Sequence, residues 1–194
     1  MKTKPIFRNL GANNHSDKDR VQDDYYATDP IVTKALLERE SFSKNILEPS
    51  VGGGHIAEIL KEHGHTVTGM DIVDRGYPNT IIQDFLDYNT PFDGDIVMNP
   101  PYHLALDMVQ KALSIIQHGN KLAVLLRIQF LEGKKRYEFY QDNPPKVVYV
   151  FSGRVGCARN GNFDSGASTS AMCFCWFVWE KGYKGEPVIR WIAP

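Results

Sequence analysis

Apolar positions along the chain fall into short blocks that switch between helical spacing and continuous or alternating runs, the two patterns that separate helix from strand. From Pro30 to Glu40 the apolar residues Ile31, Ala35 and Leu36 recur at helical spacing, with Asp29 or Thr28 placed to cap the start. A short strand, Asn45–Leu47, leads into Glu48-Pro49-Ser50-Val51-Gly52-Gly53-Gly54. A helix then carries Ile56, Ile59 and Leu60 on one face and ends near His63-Gly64. Further strands are predicted over Thr66–Met70 (finishing at Asp71), Ile81–Ile82 and Asp95–Met98. Leu104–Ile116 reads as a helix, and Lys121–Leu126 as a continuous apolar strand suited to the middle of a parallel sheet. Another helix spans about Glu132–Tyr140, stopped by Pro144-Pro145. Val147–Phe151, Met172–Glu180 and Pro187–Trp191 complete the strands.

Strands alternating with helices predict an α/β fold, a doubly wound sheet. The last two strands, joined through Lys181–Gly185, are expected to close it as an antiparallel hairpin. Residues 1–22 show no periodicity and read as a polar arm, leaving 23–194 as a single domain. The Gly/Ser/Asn-rich stretch over 153–170 is longer than an ordinary connection, and loops of that length are usually functional or disordered. Ser165 and Ser168 within it read as loop composition.

Composition narrows the class without naming a chemistry. At 194 residues, with 42% hydrophobic and 23% charged residues, the chain can bury a core without disulfides. No apolar run approaches the roughly 20 residues that span a bilayer, and the N-terminus lacks the apolar core of a signal peptide, so a cytoplasmic protein is expected. Cys157, Cys173 and Cys175 form no Cys-x-x-Cys pair, so no metal site is expected and core thiols are the simpler reading. The net charge of −1 is unevenly spread, because residues 127–159 carry +4. Arg127, Lys134, Lys135, Arg136, Arg154 and Arg159 in that stretch are candidate phosphate contacts.

In open α/β sheets, ligands sit outside the carboxyl ends of the strands. Three acids, Glu48, Asp71 and Asp84, follow successive predicted strands. The glycines at 52, 53 and 54 allow close approach of backbone to ligand and turn helix N–H groups toward a carboxylate. Asp71 is placed to accept hydrogen bonds from two ribose hydroxyls. The glycine spacing is not that of a dinucleotide fingerprint, and there is no P-loop.

Asn99-Pro100-Pro101-Tyr102 adds chemistry to this frame. Two prolines at a strand end remove two backbone donors and leave acceptors, the Asn99 side-chain oxygen and the Pro100 carbonyl. An exocyclic amine conjugated to a ring offers two N–H donors to such a pair. Holding them favours rehybridisation of a delocalised lone pair toward an electrophilic methyl. Tyr102 supplies a flat face for a base taken out of its stack. His103 beside the motif reads as a helix-start residue rather than a base.

With these motifs in order, the chain resembles the N6-adenine DNA methyltransferases, particularly small phage and prophage members, over most of its length. The resemblance implies a Rossmann-like class I methyltransferase sheet and S-adenosylmethionine as cofactor. Tyr26-Ala27-Thr28-Asp29-Pro30 is similar to that family's N-terminal motif, so Tyr26 and Thr28 would touch the methionine part of the cofactor. Glu48, Pro49, Gly52 and Gly54 match its cofactor loop, and Asp71 would hold the ribose. Asp84 would take the adenine amino group and Phe85 would pack on the ring. Asn99, Pro100, Pro101 and Tyr102 would form the catalytic loop, with Asn99 also close to the cofactor.

Two departures stand out. Asp29 intervenes between Thr28 and Pro30, and for the target-recognition region that sequence-specific DNA enzymes usually add, only the 153–170 loop, the N-terminal arm and the basic 127–136 stretch could serve. The favoured substrate is therefore the N6 amino group of adenine in DNA. RNA adenine or guanine amino groups are rivals, as is the protein glutamine amide methylated by release-factor enzymes that share an Asn-Pro-Pro-Tyr loop. A non-catalytic binder that keeps the fold is a third class. Nucleic acid is the expected partner, no membrane is expected, and the oligomeric state is left open.

Overall fold

The computed structural model describes residues 26–159 and 172–194. The polar arm over 1–22, Ser165, Ser168 and most of the 153–170 stretch lie outside the described residues, as does the side chain of Arg159. Ten strands and four α-helices follow in the order β1 Tyr26–Thr28, α1 Pro30–Leu37, β2 Asn45–Glu48, α2 His55–Glu62, β3 Thr66–Asp71, β4 Ile81–Ile82, β5 Asp95–Met98, α3 Ala105–Ile115, β6 Lys121–Arg127, α4 Lys134–Asp142, β7 Val147–Phe151, β8 Cys157–Arg159, β9 Phe174–Glu180 and β10 Val188–Ile192. Eight strands make one mixed sheet in the order β10-β7-β9-β6-β5-β2-β3-β4.

The centre of the sheet is apolar on both faces because helices cover both. Ile96, Met98, Leu122 and Val124 pack with Met108, Val109 and Ala112 of α3, while Val97, Ala123 and Leu125 pack with Val32 and Leu36 of α1 and Ile56 and Leu60 of α2. Strand β9 locks the two layers together. Phe177 and Trp179 stack at 5.8 Å on the α3 side, while Trp176 points the other way and donates Nε1–H to the Val32 carbonyl at 2.9 Å, tying α1 to the sheet. At the amino ends, the buried Asp95 carboxylate accepts from the backbone N–H of Ser43 and of Lys121, so three connections are pinned by one side chain.

The doubly wound α/β sheet is as expected, and its C-terminal portion is antiparallel. The closing strands are arranged more elaborately than a simple hairpin. Strand β9 runs antiparallel between β6 and β7, and β10 adds in parallel to the outer edge of β7. The β9 and β10 directions are opposed, but β7 lies between them. The reason is in β9 itself, whose aromatic side chains need cover on both faces and therefore a place inside the sheet, whereas β10 leaves Trp191 70% exposed at the edge. Helix α4 begins later than its apolar spacing suggests, because Gly133 has φ 119° and a 3₁₀ turn over Ile128–Leu131 precedes it.

A second, two-stranded sheet was not expected from the pattern. Strands β1 and β8 pair antiparallel, with Tyr26 opposite Arg159, Ala27 opposite Ala158 and Thr28 opposite Cys157. Asp29 caps α1 by accepting the Ile31 N–H at 3.0 Å, with Pro30 at the first helical position. Its insertion after Thr28 therefore serves the helix and leaves Thr28 in the ribbon.

Candidate functional site

Glu48, Asp71 and Asn99 stand at the carboxyl ends of three neighbouring parallel strands, β2, β3 and β5. The glycine-rich turn after β2 is bound to both neighbours. Gly52 N–H donates to Asp71 Oδ2 at 2.9 Å, and Ser50 Oγ donates to the Asn99 carbonyl at 3.1 Å. The loop, the strand-terminal acid and the Asn-Pro-Pro-Tyr segment are thus one hydrogen-bonded unit.

The Asn99 carboxamide is oriented by the β1–β8 ribbon. Its Nδ2 donates to the Tyr26 carbonyl at 3.1 Å and to Thr28 Oγ1 at 3.0 Å, and lies 3.7 Å from Cys157 Sγ. Reversing the amide would set two oxygens against each other, so the network fixes which end is which. Oδ1 is left buried and without a hydrogen-bond partner among the described residues. A buried polar atom without a partner is costly unless a ligand supplies the partner. Burial pushes the Cys157 thiol up to about 11 and holds the Tyr102 phenol well above its usual value, so both are protonated at neutral pH. The Tyr102 hydroxyl is buried near that thiol but makes no hydrogen bond of ordinary geometry.

Glu48 is 1% exposed, and its Oε2 is a second orphaned acceptor. Burial, together with the negative Asp71 nearby, keeps its carboxyl well above the ordinary carboxylate range, against the opposing hydrogen bond from the Ala57 backbone. Such a group fits a cationic ammonium ligand, which would satisfy Oε2 and stabilise the ionised form. The Asp71 oxygens each already accept a backbone N–H, from Gly52 and from Val73 at 3.1 Å, and each retains a further lone pair.

Other expected residues are placed differently from one another. Pro49 and Pro100 are buried, Pro101 is exposed, and Tyr26 is exposed at the outer end of the ribbon. Gly52 has φ 54°, which the turn under Asp71 requires. Gly54 has φ 85°, and a Cβ there would collide with the Tyr77 ring, so packing accounts for this glycine without any ligand. Asp84 is exposed and caps a short 3₁₀ turn by accepting the Leu86 N–H at 2.8 Å. Phe85 is 3% exposed and belongs to the core beneath α3. An apolar side chain open at this end of the sheet is Ile72, 60% exposed, immediately after Asp71, with Ile82 of β4, 54% exposed, opposite that aspartate. Sequence reasoning missed Ile72, Tyr77 and Cys157. Only Ile72 had a local signal, an apolar residue following a strand-terminal acid.

The basic residues divide. Arg127 ends β6 with its guanidinium 4.8 Å from the Tyr102 ring centroid. Lys134 and Lys135 are exposed in the first turn of α4, and Arg154 is exposed after β7. Arg136 serves the local fold, donating to the Gln129 and Glu132 carbonyls with its guanidinium over Phe130. Lys146, counted in the +4 stretch, lies at the amino end of β7 in an ion pair with Glu180, away from Asn99.

No protein-family profile and no curated protein matches the chain. Solved structures do. A protein described as a modification subunit of a type I restriction enzyme from Vibrio vulnificus superposes with TM-score 0.58 at 11% identity, over 87% of this chain and 46% of that one. A protein described as an O-methyltransferase from Agrobacterium tumefaciens gives TM-score 0.58 at 15% identity, over 86% of each chain. TrmN from Thermus thermophilus gives 0.53 at 17% identity, over 78% of this chain and 48% of that one. This chain thus spans about half the length of the restriction subunit and of TrmN. With its strand order, its glycine-rich turn and these likenesses, the chain has the Rossmann-like fold of class I methyltransferases.

Proposed function

We propose that the chain is an S-adenosylmethionine-dependent methyltransferase acting on the exocyclic amine of a nucleobase, with adenine N6 in DNA as the favoured target. The observation that carries this reading is the Asn99 amide, clamped through its nitrogen with Oδ1 buried and unpartnered. A rigid acceptor next to a run of prolines suits an amine, which brings hydrogen-bond donors. A hydroxyl substrate would instead call for a base to take its single proton.

When bound, S-adenosylmethionine supplies an electrophilic methyl group. Glu48 offers Oε2 to the cofactor's ammonium, and Asp71 offers its remaining lone pairs to ribose hydroxyls. Ile72 offers an apolar surface to the adenine, with Asp84 at its edge. Asn99 Oδ1 and the Pro100 carbonyl accept the two amine hydrogens, drawing the nitrogen out of conjugation and directing its lone pair. Their contribution is geometric and electrostatic, since the acceptors are preorganised before substrate arrives. The nucleobase part of the reading is supported by Arg127, Lys134 and Lys135 at this end of the molecule. It also draws on similar structures, which include one described as a restriction modification subunit and one described as an RNA methyltransferase from Pyrococcus horikoshii (TM-score 0.51, 12% identity, 78% of this chain and 81% of that one).

The test offers tritiated cofactor with duplex DNA, total RNA or a release factor as acceptor. Label is expected in DNA and lost with Asn99→Ala, by roughly two to three orders of magnitude if the acceptor works like a preorganised oxyanion-hole group. Label in RNA or in the release factor would transfer the assignment to those substrates. Label that persists in Asn99→Ala would remove Asn99 from the chemistry.

A further inference from the structure

The Tyr102 ring, the surface on which a base would lie, already carries an occupant. The Arg127 guanidinium sits 4.8 Å from the ring centroid, within cation–π range. Val97 of β5 pairs with Ala123 of β6, so Asn99 and Arg127, each an even number of residues further on, project from the same face of neighbouring strands. Arg127 is exposed, and its side chain makes no hydrogen bond or ion pair among the described residues. Arg136 is tied down by two carbonyls, whereas Arg127 is held by a ring alone. A cavity of about 160 Å³ opens here, with Tyr102, Arg127, Gln129 and Arg136 in its wall.

A ring face attracts a cation through its quadrupole and a planar base by stacking, and the two compete for the same face. A base that stacks on this face must displace the guanidinium. A nucleotide within a strand brings a phosphate alongside its base, and a guanidinium leaving the ring can pair with it in a charge-assisted hydrogen bond. A free nucleoside brings no such anion and must displace Arg127 without compensation.

We propose that Arg127 is a substrate-selecting cap on the target site, exchanging the Tyr102 face for a backbone phosphate when a nucleotide enters. The inference rests on the nucleobase reading above and sharpens it: the accepted substrate is a base carried on a phosphodiester strand, and isolated nucleosides are discriminated against. Arg127 touches the incoming strand rather than the methyl being transferred.

The experiment measures binding of adenosine and of a single-stranded adenine-containing oligodeoxynucleotide, by calorimetry, to the wild-type protein and to Arg127→Ala. The two ligands should respond with opposite sign. Adenosine should bind the variant about threefold more tightly, because its stacking surface is uncovered. The oligonucleotide should bind at least about tenfold more weakly, with a salt dependence reduced by about one phosphate contact. Changes of the same sign for both ligands, or no change in adenosine affinity, would overturn the cap while leaving the nucleobase reading in place. A wild-type protein that binds neither ligand would remove both.

Discussion

The Asn99 carboxamide is gripped through its nitrogen, so its neighbours matter to the reaction without touching the substrate. Thr28→Val keeps the size of the side chain and removes one acceptor from Nδ2. A net hydrogen bond of about 1 kcal/mol corresponds to a roughly fivefold fall in kcat, read by single-turnover transfer at saturating cofactor. Glu48 gives a pH signature. Burial raises its folded pKa above the unfolded value, so the folded chain holds the extra proton between the two. Its contribution to stability is therefore present at low pH and falls as pH rises through that window. Glu48→Gln should flatten this fall and melt higher than the parent at neutral pH. In the parent, S-adenosylhomocysteine should bind more tightly as pH rises toward ionisation of Glu48, and in the variant its affinity should be flat. A variant that melts lower at neutral pH would contradict the buried, proton-holding carboxyl. Much of this was legible in the residues: the acids and Asn99 were visible because each ends a strand. The fate of Phe85 was not, because the same apolar residue serves equally as a cofactor surface or as core, and only the position of α3 decides between them.

Gly54 shows how an element's requirements hide inside a motif. Its φ of 85° and the Tyr77 ring against it both exclude a side chain. Gly54→Ala should destabilise the fold by more than about 1 kcal/mol in urea melts, and Tyr77→Ala should recover part of that loss in the double variant. Full additivity of the two changes would show that the ring is not what forbids the Cβ. Long periodic segments such as α3 and β6 were readable from their apolar stripes, and their ends needed only local turn chemistry. The β1–β8 ribbon was not readable, because two three-residue strands 128 residues apart carry too few positions to show an alternation. The same holds for the closing strands. Apolar content identifies β9 and β10, but only the need to cover Trp176 and Trp179 on opposite faces puts β7 between them.

At the scale of the molecule, the two ends of the sheet do different work. The amino ends are stitched together by Asp95, by Lys121 with Glu40, and by Lys146 with Glu180. The carboxyl ends hold two of the buried unpartnered acceptors, Glu48 Oε2 and Asn99 Oδ1, with the exposed Ile72, Arg127, Lys134 and Lys135. Both acceptors stand where a ligand could satisfy them, and a chain of net charge −1 still presents cations at that end. Among the described residues no helix is long and apolar enough to cross a membrane. The proposed reaction is transfer of a methyl group to a nucleobase amine through Asn99. Its most direct test is mass spectrometry of the nucleosides released from DNA and RNA of cells expressing the protein or its Asn99→Ala variant. N6-methyladenine is expected in DNA with the parent, reduced to background with the variant. An unchanged nucleoside profile with the parent, or equal methylation by both proteins, would contradict it.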